Sequence, residues 1–203
     1  MKQEIRFEGP GIPNGFYWFN PPSRYRCDDG LEIITDVETD FWQRTHYGFQ
    51  RDNGHCLFTR LAGNFRVSTQ ARFMPETQYD QCGLMVRADA GHWIKLSTEL
   101  ENQHISRLGS VVTNQGYSDW ATQDVRSDIT ERWYRISRCE NDFLLESAED
   151  GQDWKQLRIT HLHNAPETLE VGLYACSPIG ANFCCRFPCL KIDECTWGEC
   201  SHA

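Results

Sequence analysis

Residues 79–100, YDQCGLMVRADAGHWIKLSTEL, decide how this chain folds. They read as two β-strands joined by a short ADAGH turn. Side chains alternate across a strand, so one face collects Leu84, Val86, Ile94, Leu96 and Thr98. The other face collects Gln81, Met85, Arg87, Trp93, Lys95, Ser97 and Glu99. If Arg87 pairs with Trp93, Met85 faces Lys95 and Gln81 faces Glu99. The first face is a core face. The second gathers an amide, a guanidinium, an ammonium, a carboxylate and an indole, a mixture suited to holding something polar. Salt bridges across the strands are the plain alternative for the same charges.

Outward from the hairpin, short alternating runs continue along the chain. Strands are expected at 31–35, 44–50, 55–61, 64–74, 82–88, 92–100, 108–114, 132–140, 142–148, 154–159, 169–176 and 183–192. Turn signals separate them: DDG at 28–30, DNG at 52–54, DAG at 89–91 and EDG at 149–151. Turns every eight to twelve residues, with no convincing helical period, predict an all-β sandwich. No internal repeat or linker divides the chain. A single domain over 1–203 is expected, with a Cys-rich strand or tail from about 189.

The chain has 203 residues, enough to bury a sizeable core. Its 20 Lys and Arg stand against 29 Asp and Glu, a net charge of −9. That balance argues against nucleic acid or an anionic membrane as the main partner. No apolar run approaches the roughly 18–20 residues needed to span a bilayer. The polar opening MKQEIRFEGPGIPNGFYWF lacks the pattern of a secretory signal, and the expected location is cytoplasmic.

Ten cysteines are many for such a protein. Six of them (Cys176, Cys184, Cys185, Cys189, Cys195 and Cys200) crowd the C-terminal end. Their spacing, with only His202 nearby, matches no zinc-ligand pattern. Reduced, structurally ordinary thiols are the expectation, and no cofactor or metal is assigned.

Four constellations carry the functional reading. DFWQRTHYGF, 40–49, sets Phe41 and Trp42 beside Asp40, a platform and carboxylate suited to a sugar ring, or else a strand entrance into the core. The 79–100 hairpin adds Asp80 at its start. In SVVTNQGYSDWATQ, 110–123, the alternation breaks at Asn114. NQGYSDW reads as a loop, with Asp119 and Trp120 as a binding lip. In RWYRISRCENDFLLESAEDGQDW, 132–154, Asp150 and Gly151 make a turn, Trp154 packs, and Arg135 is placed to join the polar face of the sheet. There is no phosphate-binding Gly loop, HExxH motif, EF-hand loop or Ser–His–Asp arrangement.

Read in order, FYWFNPPSRY, DGLEIITDVETDFWQRTHYGF, YDQCGLMVRADAGHWIKLSTEL, LGSVVTNQGYSDW, WYRISR, ESAEDGQDW and VGLYACSP resemble the DUF1349 family. Its members are mostly uncharacterised and are also named for regulation of enolase. The resemblance covers residues from about 16 to about 187. It implies a concanavalin A-like jelly roll of two antiparallel sheets, whose concave face binds saccharides in other members of that fold. It carries over no catalytic residue. Cys82 and the terminal cysteines depart from the family pattern.

The sequence therefore predicts a binding protein for a carbohydrate-like or sugar-phosphate ligand. Trp42, Trp93 and Trp120 would wall the groove. Asp80, Glu99 and Asp119 would accept hydroxyl donors, while Gln81, Lys95, Arg87 and Arg135 would donate. A glycoside hydrolase or lyase using Glu99 is one alternative. A non-catalytic regulator that touches a metabolic enzyme such as enolase is the other.

Overall fold

The computed structural model describes residues 2–198. Two large antiparallel sheets pack face to face as a concanavalin A-like jelly roll. The first, seven-stranded, runs β12 (Tyr117–Arg126), β11 (Ile105–Asn114), β10 (His92–Leu100), β9 (Gln81–Asp89), β16 (Thr168–Cys176), β7 (His55–Ala62) and β2 (Tyr17–Phe19). The second, nine-stranded, runs β15 (Lys155–His161), β14 (Asp142–Ala148), β13 (Glu131–Cys139), β8 (Phe65–Met74), β17 (Cys184–Phe187), β4 (Leu31–Ile34) and β3 (Arg24–Cys27). Its other two members are β18 (Cys189–Asp193), paired to β8, and β1 (Gln3–Arg6), paired to β18. β18, which begins at Cys189, is therefore flanked by a strand on each side. Cys200 and His202 lie outside the described residues.

The central hairpin has the register its alternation dictates. Trp93 lies opposite Arg87, Lys95 opposite Met85 and Glu99 opposite Gln81. Leu84, Val86, Ile94 and Leu96 enter the core, where Val67, Tyr134, Ile136, Phe143 and Leu145 of the other sheet meet them. Burying such side chains at about 25 cal/mol per Å² of apolar surface is what holds the sheets together. The buried Tyr134 hydroxyl donates to Thr98 Oγ1 at 2.7 Å across the sandwich, so neither polar group is left without a partner.

A third, two-stranded sheet of β5 (Phe41–Gln43) and β6 (Gln50–Asp52) lies on the outer, polar face of the seven-stranded sheet. The expected strand over 44–50 is instead the turn of this hairpin. Arg44, His46 and Gly48 all take positive φ there, which no strand tolerates. The expected loop at NQGYSDW is also corrected. Gln115 and Gly116, both at positive φ, form a two-residue turn of the primed type that leads directly into β12. The strand was hidden because most of its residues are exposed and polar, leaving no apolar alternation to read.

Candidate functional site

Docking of the 40–54 segment converts the polar face of the hairpin into a pocket. A second apolar cluster forms beneath it, from Phe41, Trp42, Phe58, Met85, Trp93, Val111 and Tyr174. Phe41 sits edge-on to Trp93 at 6.1 Å and to Tyr174 at 6.4 Å between ring centroids. Gly54 makes this possible: a Cβ there would lie 2.3 Å from the Phe41 ring and 2.5 Å from Cys176 Sγ. Polar clasps fix the segment. The backbone N–H of Gln43 donates to Ser118 Oγ at 2.9 Å, and Arg44 donates to the Gly116 carbonyl at 3.1 Å.

The space left has a volume of about 410 Å³, within the range of small-molecule sites. Gln81, Lys95 and Glu99 from the hairpin, together with Asp40, supply its polar groups. Trp42, Tyr47, Phe49, Tyr79 and Trp120 supply its aromatic walls, and Arg51 adds a cation. Tyr47 stacks on Phe49 at 5.7 Å and meets Trp42 edge-on at 5.5 Å, a continuous aromatic wall.

The polar groups are tied to one another and to the segment above them. Lys95 Nζ donates to the Phe41 carbonyl at 2.9 Å and lies 3.4 Å from Asp40 Oδ1. The Gln81 amide donates to Glu99 Oε2 at 2.5 Å and accepts from the Tyr174 hydroxyl at 3.1 Å. Burial pushes the Glu99 carboxyl up to about 8, and the charges of Asp40 and Glu101 push the same way against Lys95. Near neutral pH the group is therefore chiefly a carboxylic acid, a donor as well as an acceptor. Burial also holds Tyr174 and Cys176, beneath the pocket, well above their ordinary ionisation ranges.

Of the ten residues singled out from sequence, Trp42, Gln81, Lys95, Glu99 and Trp120 line this pocket. The other five lie elsewhere. Trp93 is on the same face but fully buried under Phe41, its indole N–H donating to the Ala90 carbonyl. Arg87 grips Asp52 through two bonds of 2.9 and 2.8 Å and lies over the Phe19 ring at 4.5 Å, pinning the end of β6 to the sheet. Asp80 accepts from the Glu76 and Thr77 N–H groups and from Ser177 Oγ, so its oxygens are spent on holding a turn. Asp119 alternates with Trp120 along β12 and so faces the opposite way, toward Arg158 of the other sheet at 2.7 Å. Arg135 belongs to that other sheet, where it is bidentate to Glu146 and lies 4.1 Å over Trp154. A strand's own pattern does not say which sheet it joins, and that is why Arg135 was grouped with the hairpin.

Asp40, Tyr47, Phe49, Arg51, Tyr79, Val111, Pro178 and Ile179 complete the lining. Asp40 and Tyr47 stand in the DFWQRTHYGF stretch, whose aromatic and acidic residues suggest a platform. Pro178 and Ile179 come from a loop with no local signal. Among the described residues, no group of three or more His, Cys, Asp or Glu is placed to hold a metal ion. No described helix is long and apolar enough to cross a membrane.

Comparison with known proteins places these features. The family model described as "Protein of unknown function (DUF1349)" matches residues 18–195. "Regulation of enolase protein 1" of Saccharomyces cerevisiae is 35% identical over 162 residues, covering 79% of this chain and 80% of that protein. A crystal structure of a functionally unknown protein from Saccharomyces cerevisiae superposes with a TM-score of 0.83 at 30% identity, over 89% of this chain and 96% of that one. The Bacteroides ovatus xyloglucan-locus protein GH43B superposes with a TM-score of 0.74 at 16% identity, over 94% of this chain but 39% of its own. At that identity the likeness establishes the fold alone.

Proposed function

This chain belongs to the DUF1349 family, and on that premise we propose that it binds a carbohydrate-like or sugar-phosphate ligand in the pocket between the 40–54 segment and the seven-stranded sheet. The observation that carries the reading is the pocket's composition: aromatic walls around a floor of Gln81, Lys95, Glu99 and Asp40. Aromatic faces take the C–H face of a sugar ring, and the amide, acid and carboxylate take its hydroxyls. Lys95 and Arg51 supply positive charge for a phosphate or uronate group. The reading is of a cytoplasmic protein, in keeping with described cysteines such as Cys56 and Cys185 that are free and not disulfide-bonded.

One observation favours a second reading. A carboxyl held protonated near neutral pH beside a pocket is what a general acid requires, and Glu99 is such a group. A glycoside hydrolase or lyase using Glu99 would then turn the bound sugar over.

The test is a thermal-shift screen against mono- and oligosaccharides, sugar phosphates and uronic acids. A compound that stabilises the wild type, and Trp120→Ala less at the same concentration, is the expected result. Turnover of that compound, lost in Glu99→Gln, would move the reading to the enzyme. A well-folded sample with no hit would sink the ligand reading and leave the regulatory one, tested by direct binding to purified enolase.

A further inference from the structure

The open end of the sandwich holds a cavity of about 700 Å³, between β11 and β12 on one side and β13 to β15 on the other. It shares no lining residue with the Glu99 pocket. Alternation along β13 sends Arg132 inward on the same face as the core residues Tyr134 and Ile136, and its side chain is only 4% exposed.

The other arginines buried as deeply are satisfied. Arg87 is bidentate to Asp52, and Arg138 donates to the carbonyls of Glu140, Pro166 and Glu167. Arg135, partly buried on the neighbouring face, is bidentate to Glu146. Arg132 differs: its Nε and Nη2 are buried and have no hydrogen-bond partner. These two atoms form the side-on edge of the guanidinium, the one that matches a carboxylate or phosphate bidentately. The nearest anion is Glu149 Oε1, 3.7 Å from Nη2, beyond hydrogen-bond reach, on a side chain that is 77% exposed. A buried, unpaired guanidinium costs several kcal/mol unless something completes it.

The other acids of the cavity wall face partners of their own or solvent. Asp124 pairs with Arg107, Asp153 lies 3.9 Å from Lys155, and Asp150 accepts from the N–H groups of Gln152 and Asp153. The wall also carries an apolar strip, made by Ile105, Leu108, Val125 and Ile129. We propose that this cavity is a second binding site, for a small organic anion whose oxyanion displaces Glu149 and docks on the Arg132 fork while its apolar body lies against those four side chains.

The test uses octanoate, with octan-1-ol and inorganic phosphate as controls, titrated into the full chain and followed by calorimetry. Octanoate is expected to bind, and octanol and phosphate each to bind at least about tenfold more weakly. Arg132→Met is expected to reduce octanoate affinity by about tenfold or more. This variant should fold, because it replaces an unsatisfied buried charge with an apolar chain. Glu149→Ala, at an exposed position, is expected to tighten octanoate binding by removing the competitor. If Glu149 is instead simply the internal partner of Arg132, Glu149→Ala destabilises the fold and gains no affinity for octanoate. That result, the absence of octanoate binding in the wild type, octanoate binding unchanged in Arg132→Met, or binding matched by phosphate or octanol, would each overturn the proposal.

Discussion

Replacing Glu99 by Gln removes a single proton-binding group and should change how the whole protein's stability depends on pH. In the folded chain burial raises the Glu99 carboxyl to about 8, against an ordinary value of 4.5. The unfolded chain releases the proton as pH passes 4.5, while the folded chain retains it until about 8. Stability from this group is thus present in full below the unfolded value, falls as pH rises between the two, and is flat above the higher one. At about 1.36 kcal/mol per pH unit, the interval from 4.5 to about 8 amounts to about 5 kcal/mol, with about 3 kcal/mol already lost at pH 7. That is comparable with the whole stability of an ordinary domain, about 5–15 kcal/mol. Glutamine keeps the shape and accepts from Gln81 without the charge. Urea unfolding from pH 4.5 to 9 should therefore give curves for wild type and Glu99→Gln that separate steadily with pH up to about 8, the variant gaining on the wild type. A difference that stays constant from pH 5 to 8 would refute the reasoning, because it would mean that Glu99 ionises alike in both states.

Other consequences follow from single contacts. Arg87→Met leaves Asp52 without its bidentate partner and should cost about 3 kcal/mol in chemical denaturation. Gly172→Ala places a Cβ 1.9 Å from the Leu57 carbonyl oxygen, so the central strands must separate; a loss of about 3 kcal/mol or more is expected, and a neutral result would contradict the close approach of β16 and β7. Trp120→Ala should leave unfolding nearly unchanged, because Trp120 is 39% exposed, yet weaken a bound sugar about three- to tenfold by calorimetry.

The hairpin shows why part of this was legible in sequence. Its register and its core face are local properties, fixed by a period of two over residues 81–100, and both appear in the structure as the alternation requires. The pocket depends on something alternation does not encode, the return of residues 40–54 over the polar face. That return covers Trp93, diverts Arg87 to Asp52 and brings Asp40 to Lys95. Asp80 and Asp119 illustrate the same limit. A carboxylate beside a strand looks like a ligand in sequence, yet here one braces a turn and the other an inter-sheet ion pair. Arg132 was not singled out because an arginine in a strand reads as surface until the partner strands show which face is inside.

The most direct test of the pocket is an NMR titration of the tryptophan indole N–H signals with a saccharide or sugar phosphate that stabilises the protein. Trp42 and Trp120 line the pocket, whereas Trp133 and Trp154 belong with the opposite sheet. A ligand seated in the pocket shifts Trp42 and Trp120 together, saturably, and leaves Trp133 and Trp154 in place. Shifts at Trp133 or Trp154 with Trp42 and Trp120 unmoved would contradict the assignment.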